Sequence, residues 1–410
     1  MPANQDGKRV AAFEMMSDED LKAAGAPAAA GKPSLMSRLW NRPITRLAIL
    51  SSILVAVVLV IALPAALVPK GDGSNSDGSS GSSGSNSGSG SGSGSSGSPT
   101  STSSGSTPTK TMTPGCGTAH SVGYSDDMSN HNITSSGSNR YYTIDVPSHY
   151  NDKKSEPWPL ILDFHGASRD ADNQYNNSMY YADPRGDDYI VVYPEGMGGK
   201  WESAFYADKD ANDLQFVTDL LEHINNDYCI DQDRIYASGK SNGGGFVDML
   251  ACSDEGDPFA AFAMAAAALY SDLSYKPKGG CSKSRAILES HGGEDKTVPY
   301  EGGDNGVGGD SPDIAEWLGW WARRDGCKKS ADPSVVEHDG YNVSTYSCDG
   351  YDDIVKGIYI PDLDHCWPDA TQNNSDSQRN HDICAFDGLD FTAVVLDWFG
   401  NWTMNNVPKN

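Results

Sequence analysis

The segment Gly-Lys-Ser-Asn-Gly at residues 239–243 has the spacing of a GxSxG motif. Such a motif carries a nucleophilic serine on a tight turn between a strand and a helix, because glycines fit where a side chain would clash. The run RIYAS before it has the composition of a strand, and GGFVDMLAC after it that of a helix. In this setting we predict that Ser241 is a nucleophile for acyl transfer and not part of an ordinary glycine-rich turn.

A serine hydroxyl needs a base within hydrogen-bonding distance and an acid that orients the base. In chains with this kind of turn the order is serine, acid, histidine. Asp295 follows a predicted strand at 286–291, and His365 follows another at 357–360. Open α/β sheets place their sites on loops at the carboxyl ends of strands. We therefore predict Asp295 as the acid and His365 as the base, with the adjacent Glu294 as an alternative acid.

Other titratable residues after Ser241 are interpreted differently. His291 is a further candidate histidine, whereas His338 and His381 have the setting of exposed loop residues. Four more carboxylates are interpreted as solvated loop acids of an acidic chain: Asp304, Asp310, Asp362 and Asp364.

The oxyanion of an acyl-transfer intermediate needs two backbone N–H donors, one directly after the nucleophile and one from an earlier strand-to-helix loop. Asn242 supplies the first. The second is expected from Ala167 or Ser168, which follow the predicted strand PLILDF, with His165 shaping that loop. Trp367, close to the predicted base, is a candidate for lining an acyl pocket.

Short runs rich in β-branched and aromatic residues alternate with segments of helical period, a pattern typical of a mainly parallel α/β sheet flanked by helices. Asn212 is predicted to cap a helix with apolar positions Leu214, Val217, Leu221 and Ile224. Two more helices are expected at 312–325 and around 394–402. The predicted strands are 141–146, 159–164, 189–193, 234–238, 259–265, 286–291 and 357–360.

Several sequence blocks follow one another in order along residues 115–400: HGAS (165–168), YPEG (193–196) with Trp201, CIDQDRIYASGKSNGGGF (229–246), HGGEDKTVPYEGG (291–303) and LDHCWP (363–368). Together they resemble fungal feruloyl esterases of carbohydrate esterase family 1. The resemblance implies an α/β-hydrolase fold, a triad of Ser241, Asp295 and His365, and hydroxycinnamoyl esters of plant-wall arabinoxylan as substrates. Related members include acetylxylan esterases and polyhydroxybutyrate depolymerases.

The N-terminal part of the chain has the pattern of a membrane anchor. Residues 47–68 carry no charge and are mostly apolar. As a helix, this segment is long enough to cross a hydrocarbon core of about 30 Å. Basic residues precede this segment, so the positive-inside rule puts a disordered tail, 1–46, in the cytosol. A flexible Gly/Ser/Thr-rich linker, 69–115, leads to a catalytic domain at 116–410. We predict a single-pass type II protein with this domain extracellular or lumenal, and leave retention, surface display or release open.

Composition limits the partners. The net charge of −26 and the lack of a basic stripe argue against nucleic acid. All eight cysteines lie at or after position 116, which indicates an oxidising compartment, and none has zinc-site spacing. We expect no metal and no other cofactor. O-glycans are expected on the Ser/Thr/Pro-rich end of the linker, and N-glycans at Asn132, Asn176, Asn342, Asn373 and Asn401.

The leading hypothesis is a cofactor-independent serine carboxylic ester hydrolase, feruloyl esterase-like, that cleaves polysaccharide-linked or small esters through an acyl-serine intermediate. An alternative is an acetylxylan or other glycan esterase that acts on cell-surface or wall glycans. A third hypothesis, from a different class, is a catalytically silent wall-binding or sensing ectodomain.

Overall fold

The structure is a computed structural model that describes residues 112–270, 280–304, 309–328, 332–348 and 350–409. The predicted tail (1–46), the predicted anchor (47–68) and nearly all of the predicted linker (69–115) lie outside these ranges. Within them, no helix combines the length and the apolar character needed to cross a membrane.

A mostly parallel sheet forms the centre of the domain. Six strands run parallel in the order β5-β4-β6-β7-β8-β13, and antiparallel strands extend both edges, β3 with β1 and β2 on one side and β12 with β11 on the other. A separate two-stranded ribbon pairs β9 with β10. The strands are β1 (Gly123–Ser125), β2 (Asn132–Ser135), β3 (Ser138–Val146), β4 (Trp158–Phe164), β5 (Ile190–Pro194), β6 (Ile230–Lys240), β7 (Ala261–Ala265), β8 (Ile287–Gly292), β9 (Gly303–Asp304), β10 (Asp310–Ser311), β11 (Ser334–His338), β12 (Tyr341–Cys348) and β13 (Tyr351–Ile360).

Helices connect the parallel strands and flank the sheet. The α-helices are α1 (Ala171–Ser178), α2 (Asp213–Asp227), α3 (Asn242–Ala251), α4 (Ile314–Arg324), α5 (Ser375–Arg379), α6 (His381–Cys384) and α7 (Phe391–Asn401). Short 3-10 helices lie at Tyr150–Asp152, Tyr180–Ala182, Pro184–Asp188 and Met197–Gly199. This arrangement is an α/β-hydrolase-like fold, as the sequence predicts.

The predicted strands are confirmed because their hydrophobic runs match the interior of a parallel sheet. Every residue of β4, β5, β7 and β8 is buried, as expected for strands covered on both faces. All seven predicted strands coincide with, or lie largely within, the observed β3, β4, β5, β6, β7, β8 and β13. The core of the domain therefore lies where the sequence places it.

The antiparallel edge formed by β11 and β12 is not among the predicted strands. All five residues of β11 are exposed, including Val335 and Val336, so the hydrophobic alternation of a half-buried strand is missing. The available signal was the Asp339-Gly340 pair between the two strands, where Gly340 has φ of 82°. Asp-Gly is a strong signal for a tight hairpin turn.

Helix α2 is confirmed, but the predicted cap is wrong. Asn212 occupies the N-cap position in a left-handed conformation, with φ of 48°, and its side chain makes no capping hydrogen bond. Its amide donates instead to the carbonyl of Asp210 (2.9 Å). Glu202, from the preceding loop, accepts the backbone N–H of Leu214 at 3.0 Å. A carboxylate from outside the helix thus satisfies a first-turn donor.

Four disulfides cross-link the domain: Cys116–Cys229, Cys252–Cys281, Cys327–Cys348 and Cys366–Cys384. The first fixes the start of the described chain beside the amino end of β6, where the Thr113 hydroxyl donates to the carbonyl of Tyr228 (2.7 Å) and accepts from Ile230 N–H (2.9 Å). Disulfides persist in oxidising compartments, which supports an extracytosolic location for the domain.

Candidate active site

Ser241 lies on a tight turn between β6 and α3. Its backbone has φ of 56° and ψ of −122°, a conformation that L-residues rarely adopt. The flanking glycines are required by contact: a Cβ on Gly243 would lie 2.1 Å from the carbonyl oxygen of Phe164, and one on Gly239 would lie 2.7 Å from the carbonyl carbon of Gly243. The predicted strand-turn-helix setting of Ser241 is therefore present.

The three side chains predicted as a triad lie together at the carboxyl edge of the sheet. Ser241 Oγ is 2.8 Å from His365 Nε2, and His365 Nδ1 is 2.7 Å from Asp295 Oδ2. Asp295 follows β8 and His365 follows β13, two adjacent parallel strands. A carboxylate only accepts hydrogen bonds, so we assign the proton to Nδ1, which leaves the Nε2 lone pair directed at the serine hydroxyl.

The carboxylate of Asp295 is buried and fully engaged. Its Oδ1 accepts the backbone N–H groups of Thr297 (2.8 Å) and Val298 (2.7 Å). Burial opposes ionisation, but the interactions with His365 and His291 outweigh it and hold the pKa of Asp295 far below its ordinary value. The alternative acid, Glu294, is exposed. Asp295, and not Glu294, therefore faces the histidine.

Of the three backbone N–H groups predicted as oxyanion donors, two are available in the structure and the third is not. Asn242 is the first residue of α3, so its N–H has no carbonyl within the helix to accept it. Ser168 does not fit, because its N–H donates to the carbonyl of Gly199 at 2.7 Å. Ala167 N–H is the remaining candidate on that loop, and a Cβ on the neighbouring Gly166 would lie 3.3 Å from Ser241 Cβ.

The side chain of Asn242 has a structural contact that the sequence did not indicate. Its Oδ1 accepts the N–H of Trp201 (2.8 Å), and its Nδ2 donates to the carbonyl of Trp201 (3.2 Å) and to Ser203 Oγ (3.1 Å). These bonds fasten the loop after β5 to the residue that follows the nucleophile.

His165 shapes the first strand-to-helix loop, as expected. It is fully buried, its Nε2 accepts the N–H of Gly196 (3.0 Å), and its Nδ1 lies 2.8 Å from the carbonyl of Gly166. Burial lowers the pKa of His165 to about 4, so the ring is neutral near pH 7. A neutral ring with one donor and one acceptor matches these two partners.

The expected acyl-pocket role of Trp367 does not agree with the structure. The ring is 0% exposed, packs edge-on against Phe391 at 5.1 Å between centroids, and donates its indole N–H to Thr392 Oγ1 at 3.0 Å. A ring with no free surface offers none to an acyl group. Trp367 is a core residue beneath the histidine loop.

Asp364 is not the solvated acid that the sequence suggests. It is 6% exposed, and its Oδ1 accepts the backbone N–H groups of His365 (2.8 Å) and Lys296 (3.1 Å). It therefore joins the loop of the candidate base to the loop of the candidate acid. The only signal in the sequence was its position next to His365.

The other histidines that follow Ser241 in the chain lie as follows. His338 and His381 are exposed, as expected. His291 is buried behind Asp295, with Nε2 3.3 Å from Asp295 Oδ2, and does not contact Ser241 directly. Across the part of the chain that the structure describes, no group of three or more His, Cys, Asp or Glu side chains could hold a metal ion.

Comparison with known proteins gives the following similarities. A model of the prolyl oligopeptidase family matches residues 173–278, a segment that contains Ser241 and ends before Asp295 and His365. A probable feruloyl esterase C of Aspergillus niger is 26% identical over 196 residues, 47% of this chain and 65% of that protein. A bifunctional acetylxylan esterase/xylanase of Neocallimastix patriciarum is 30% identical over 148 residues, 35% of this chain and 20% of that protein.

Among solved structures, an acetyl xylan esterase from Aspergillus awamori matches with a TM-score of 0.45 and 15% identity, over 66% of this chain and 98% of that one. The chain spans less than two thirds of the length of the curated relatives reported above. The resemblance to fungal feruloyl esterases is confirmed.

Proposed function

We propose that residues 116–410 form a serine carboxylic ester hydrolase that works through an acyl-Ser241 intermediate. The observation that carries this proposal is the pair of hydrogen bonds of 2.8 and 2.7 Å that link Ser241 to His365 and His365 to Asp295. The similarity to feruloyl esterases supports it. A binding module has no need of these three groups in this geometry.

The mechanism follows from the assigned protons. His365 Nε2 takes the hydroxyl proton as Ser241 Oγ attacks the ester carbonyl carbon, and the backbone N–H groups of Asn242 and Ala167 stabilise the resulting oxyanion. Collapse breaks the bond to the alcohol, which leaves with the proton from His365. Water then gives a proton to His365 and attacks the acyl carbon. The bond to Ser241 Oγ breaks, the acid is released, and His365 returns the proton to Ser241 Oγ. Asp295 holds the imidazole in the required tautomer throughout.

We propose hydroxycinnamoyl esters of plant cell-wall polysaccharide as the substrate class. The similarity to a probable feruloyl esterase C favours an aromatic acyl group. Acetylated xylan or other glycans are the second candidate, since another relative is named a bifunctional acetylxylan esterase/xylanase. Both candidates are esters of a carbohydrate hydroxyl, so they share one mechanism and differ in the acyl group.

We further propose that the protein is anchored by residues 47–68, with the enzyme domain outside the cytosol and N-glycosylated. The uncharged segment and the basic residues before it support the orientation, and the four disulfides support the compartment. Three of the five sequon asparagines are exposed and accessible for modification: Asn176, Asn373 and Asn401.

A fluorophosphonate probe tests the nucleophile. We expect one labelled peptide, carrying Ser241, in the purified protein and none in Ser241→Ala. That variant should also lose roughly 10⁴-fold or more in turnover of methyl ferulate and 4-nitrophenyl acetate. Ser347→Ala, at an exposed serine on β12, is the matched control and should label and turn over like the unmodified protein.

The same assays separate the alternatives. Higher kcat/KM on methyl ferulate than on acetylated xylan supports the aromatic acyl group, and the reverse order supports the second candidate. If the folded protein neither labels with the probe nor turns over an ester, the catalytically silent wall-binding ectodomain is the hypothesis that remains.

A further inference from the structure

A second buried histidine lies directly behind the candidate triad. His291, on β8, has Nδ1 2.8 Å from Glu289 Oε1, and its Nε2 lies 2.8 Å from the carbonyl oxygen of Val298 and 3.3 Å from Asp295 Oδ2. The side chains of Glu289, His291 and Asp295 have at most 1% exposure. The mechanism above uses neither Glu289 nor His291.

The partners of the ring indicate where its protons are. A backbone carbonyl oxygen is only an acceptor, so Nε2 of His291 carries a hydrogen. On the other side, Glu289 Oε1 also faces the backbone N–H of Ala267 at 3.4 Å, which places an accepting oxygen, and not a hydroxyl, opposite Nδ1. Both ring nitrogens therefore donate, as they do in an imidazolium ion.

The charges around the ring agree with this assignment. Burial alone would lower the pKa of His291, but the facing carboxylates of Glu289 and Asp295 outweigh burial and raise it well above its ordinary value. The Tyr300 ring lies edge-on at 5.9 Å, and His365 lies beyond Asp295. The result is a row of Glu289, His291, Asp295 and His365 that ends at Ser241.

We infer that His291 is a positioning residue, a protonated imidazolium with Glu289 as its buried counter-ion, which holds the Asp295 carboxylate in place for His365. The inference rests on the proposed esterase function. Asp295 Oδ2 is shared between two histidines, so the position of the acid relative to the base depends on a ring that never meets the substrate.

This arrangement has a consequence for the rate of the reaction. Nε2 of His291 faces the same Asp295 oxygen that accepts the hydrogen bond of His365 Nδ1. Without this second donor the carboxylate is held less firmly against the base. Loss of the donor should therefore lower kcat while KM stays close to its original value.

The test compares two double variants. Glu289→Gln/His291→Ala removes the donor to Asp295, whereas Glu289→Gln/His291→Gln keeps an amide that can donate near the Nε2 position. Both variants remove the two buried charges together, because a change at His291 alone would leave Glu289 without a counter-charge. His338→Gln, at an exposed histidine on β11, is the matched control with unchanged kcat and KM.

We expect both double variants to be folded by circular dichroism and to label at Ser241. The alanine variant should lose kcat by roughly tenfold to a hundredfold at a nearly unchanged KM, and the glutamine variant should recover most of that loss. Folded, Ser241-labelled double variants with the kcat of the unmodified protein would overturn the inference while leaving the esterase proposal intact. Failure of the unmodified protein to label or turn over an ester would instead refute the proposed function itself.

Discussion

Asp364 accepts a hydrogen bond from the backbone N–H of Lys296 at 3.1 Å, and so joins two loops that are 68 residues apart in the chain. One loop carries the candidate acid and the other the candidate base. The same oxygen also accepts the N–H of His365. The distance between Asp295 and His365 thus depends on a carboxylate that has no part in proton transfer.

Asp364→Ala should therefore lower kcat as well as stability. Loss of the shared acceptor leaves two N–H groups without their partner, which costs roughly 1–3 kcal/mol. Displacement of the loops should reduce kcat on the order of tenfold to a hundredfold. Asp364→Asn keeps an accepting oxygen and should stay close to the unmodified protein. Urea unfolding and steady-state kinetics measure both effects, and an alanine variant with normal kcat would show that the loops hold their positions without this link.

The disulfide after the base provides a second test of loop position. Cys366 follows His365 and pairs with Cys384 at a sequence separation of 18, while Cys327–Cys348 spans 21. Loops of this size give similar stabilisation, about 3 kcal/mol each. Cys366→Ala/Cys384→Ala and Cys327→Ala/Cys348→Ala should lose similar stability, but only the first should lower the kcat of folded protein, roughly tenfold. Equal kcat in the two double variants would contradict a role for the Cys366–Cys384 bond in placing His365.

Asp295→Asn should reduce kcat by about 10⁴-fold with little change in fold. The amide would present a donor to His365 Nδ1, so the ring would adopt the other tautomer and direct N–H at the serine. Glu294→Gln, at the adjacent exposed acid, is the matched control and should keep its activity. The two variants are compared by kcat on 4-nitrophenyl acetate, and a larger loss in the Glu294 variant would reverse the assignment of the acid.

Glu195→Gln should change how stability varies with pH. Burial raises the pKa of Glu195 to about 7, from an ordinary value of 4.5. The folded state therefore holds this proton more tightly, and the stability that it contributes at low pH is lost as pH rises through about 7. The melting temperature of the variant, relative to the unmodified protein, should rise between pH 4.5 and 7 and then level off. A difference in melting temperature that stays constant between pH 4.5 and 7 would refute the raised pKa of Glu195.

The parts predicted from the sequence are those that residue type and spacing reveal within one segment. Gly239 and Gly243 mark the turn by their spacing around Ser241, although part of the backbone that a Cβ would meet there belongs to Phe164, in β4. Buried parallel strands are continuous apolar runs, so their carboxyl ends, and with them Asp295 and His365, could be located.

The parts that were missed depend on contacts between distant segments. Whether Ser168 N–H is free depends on Gly199, and whether Asp364 is solvated depends on Lys296. Trp367 could point to a pocket or to the core, and the residue that decides, Thr392, lies in α7. No periodicity within a single segment carries this information.

The first disulfide also determines where the amino-terminal end of the described chain lies relative to the nucleophile. Cys116 is fixed at Cys229, just before β6, whereas Ser241 follows the last residue of that strand. An 11-residue strand spans roughly 35 Å. The amino-terminal end of the described chain is thus held at the far end of β6 from the nucleophile, so residues 113–116 leave the approach of a bulky polymer to Ser241 open.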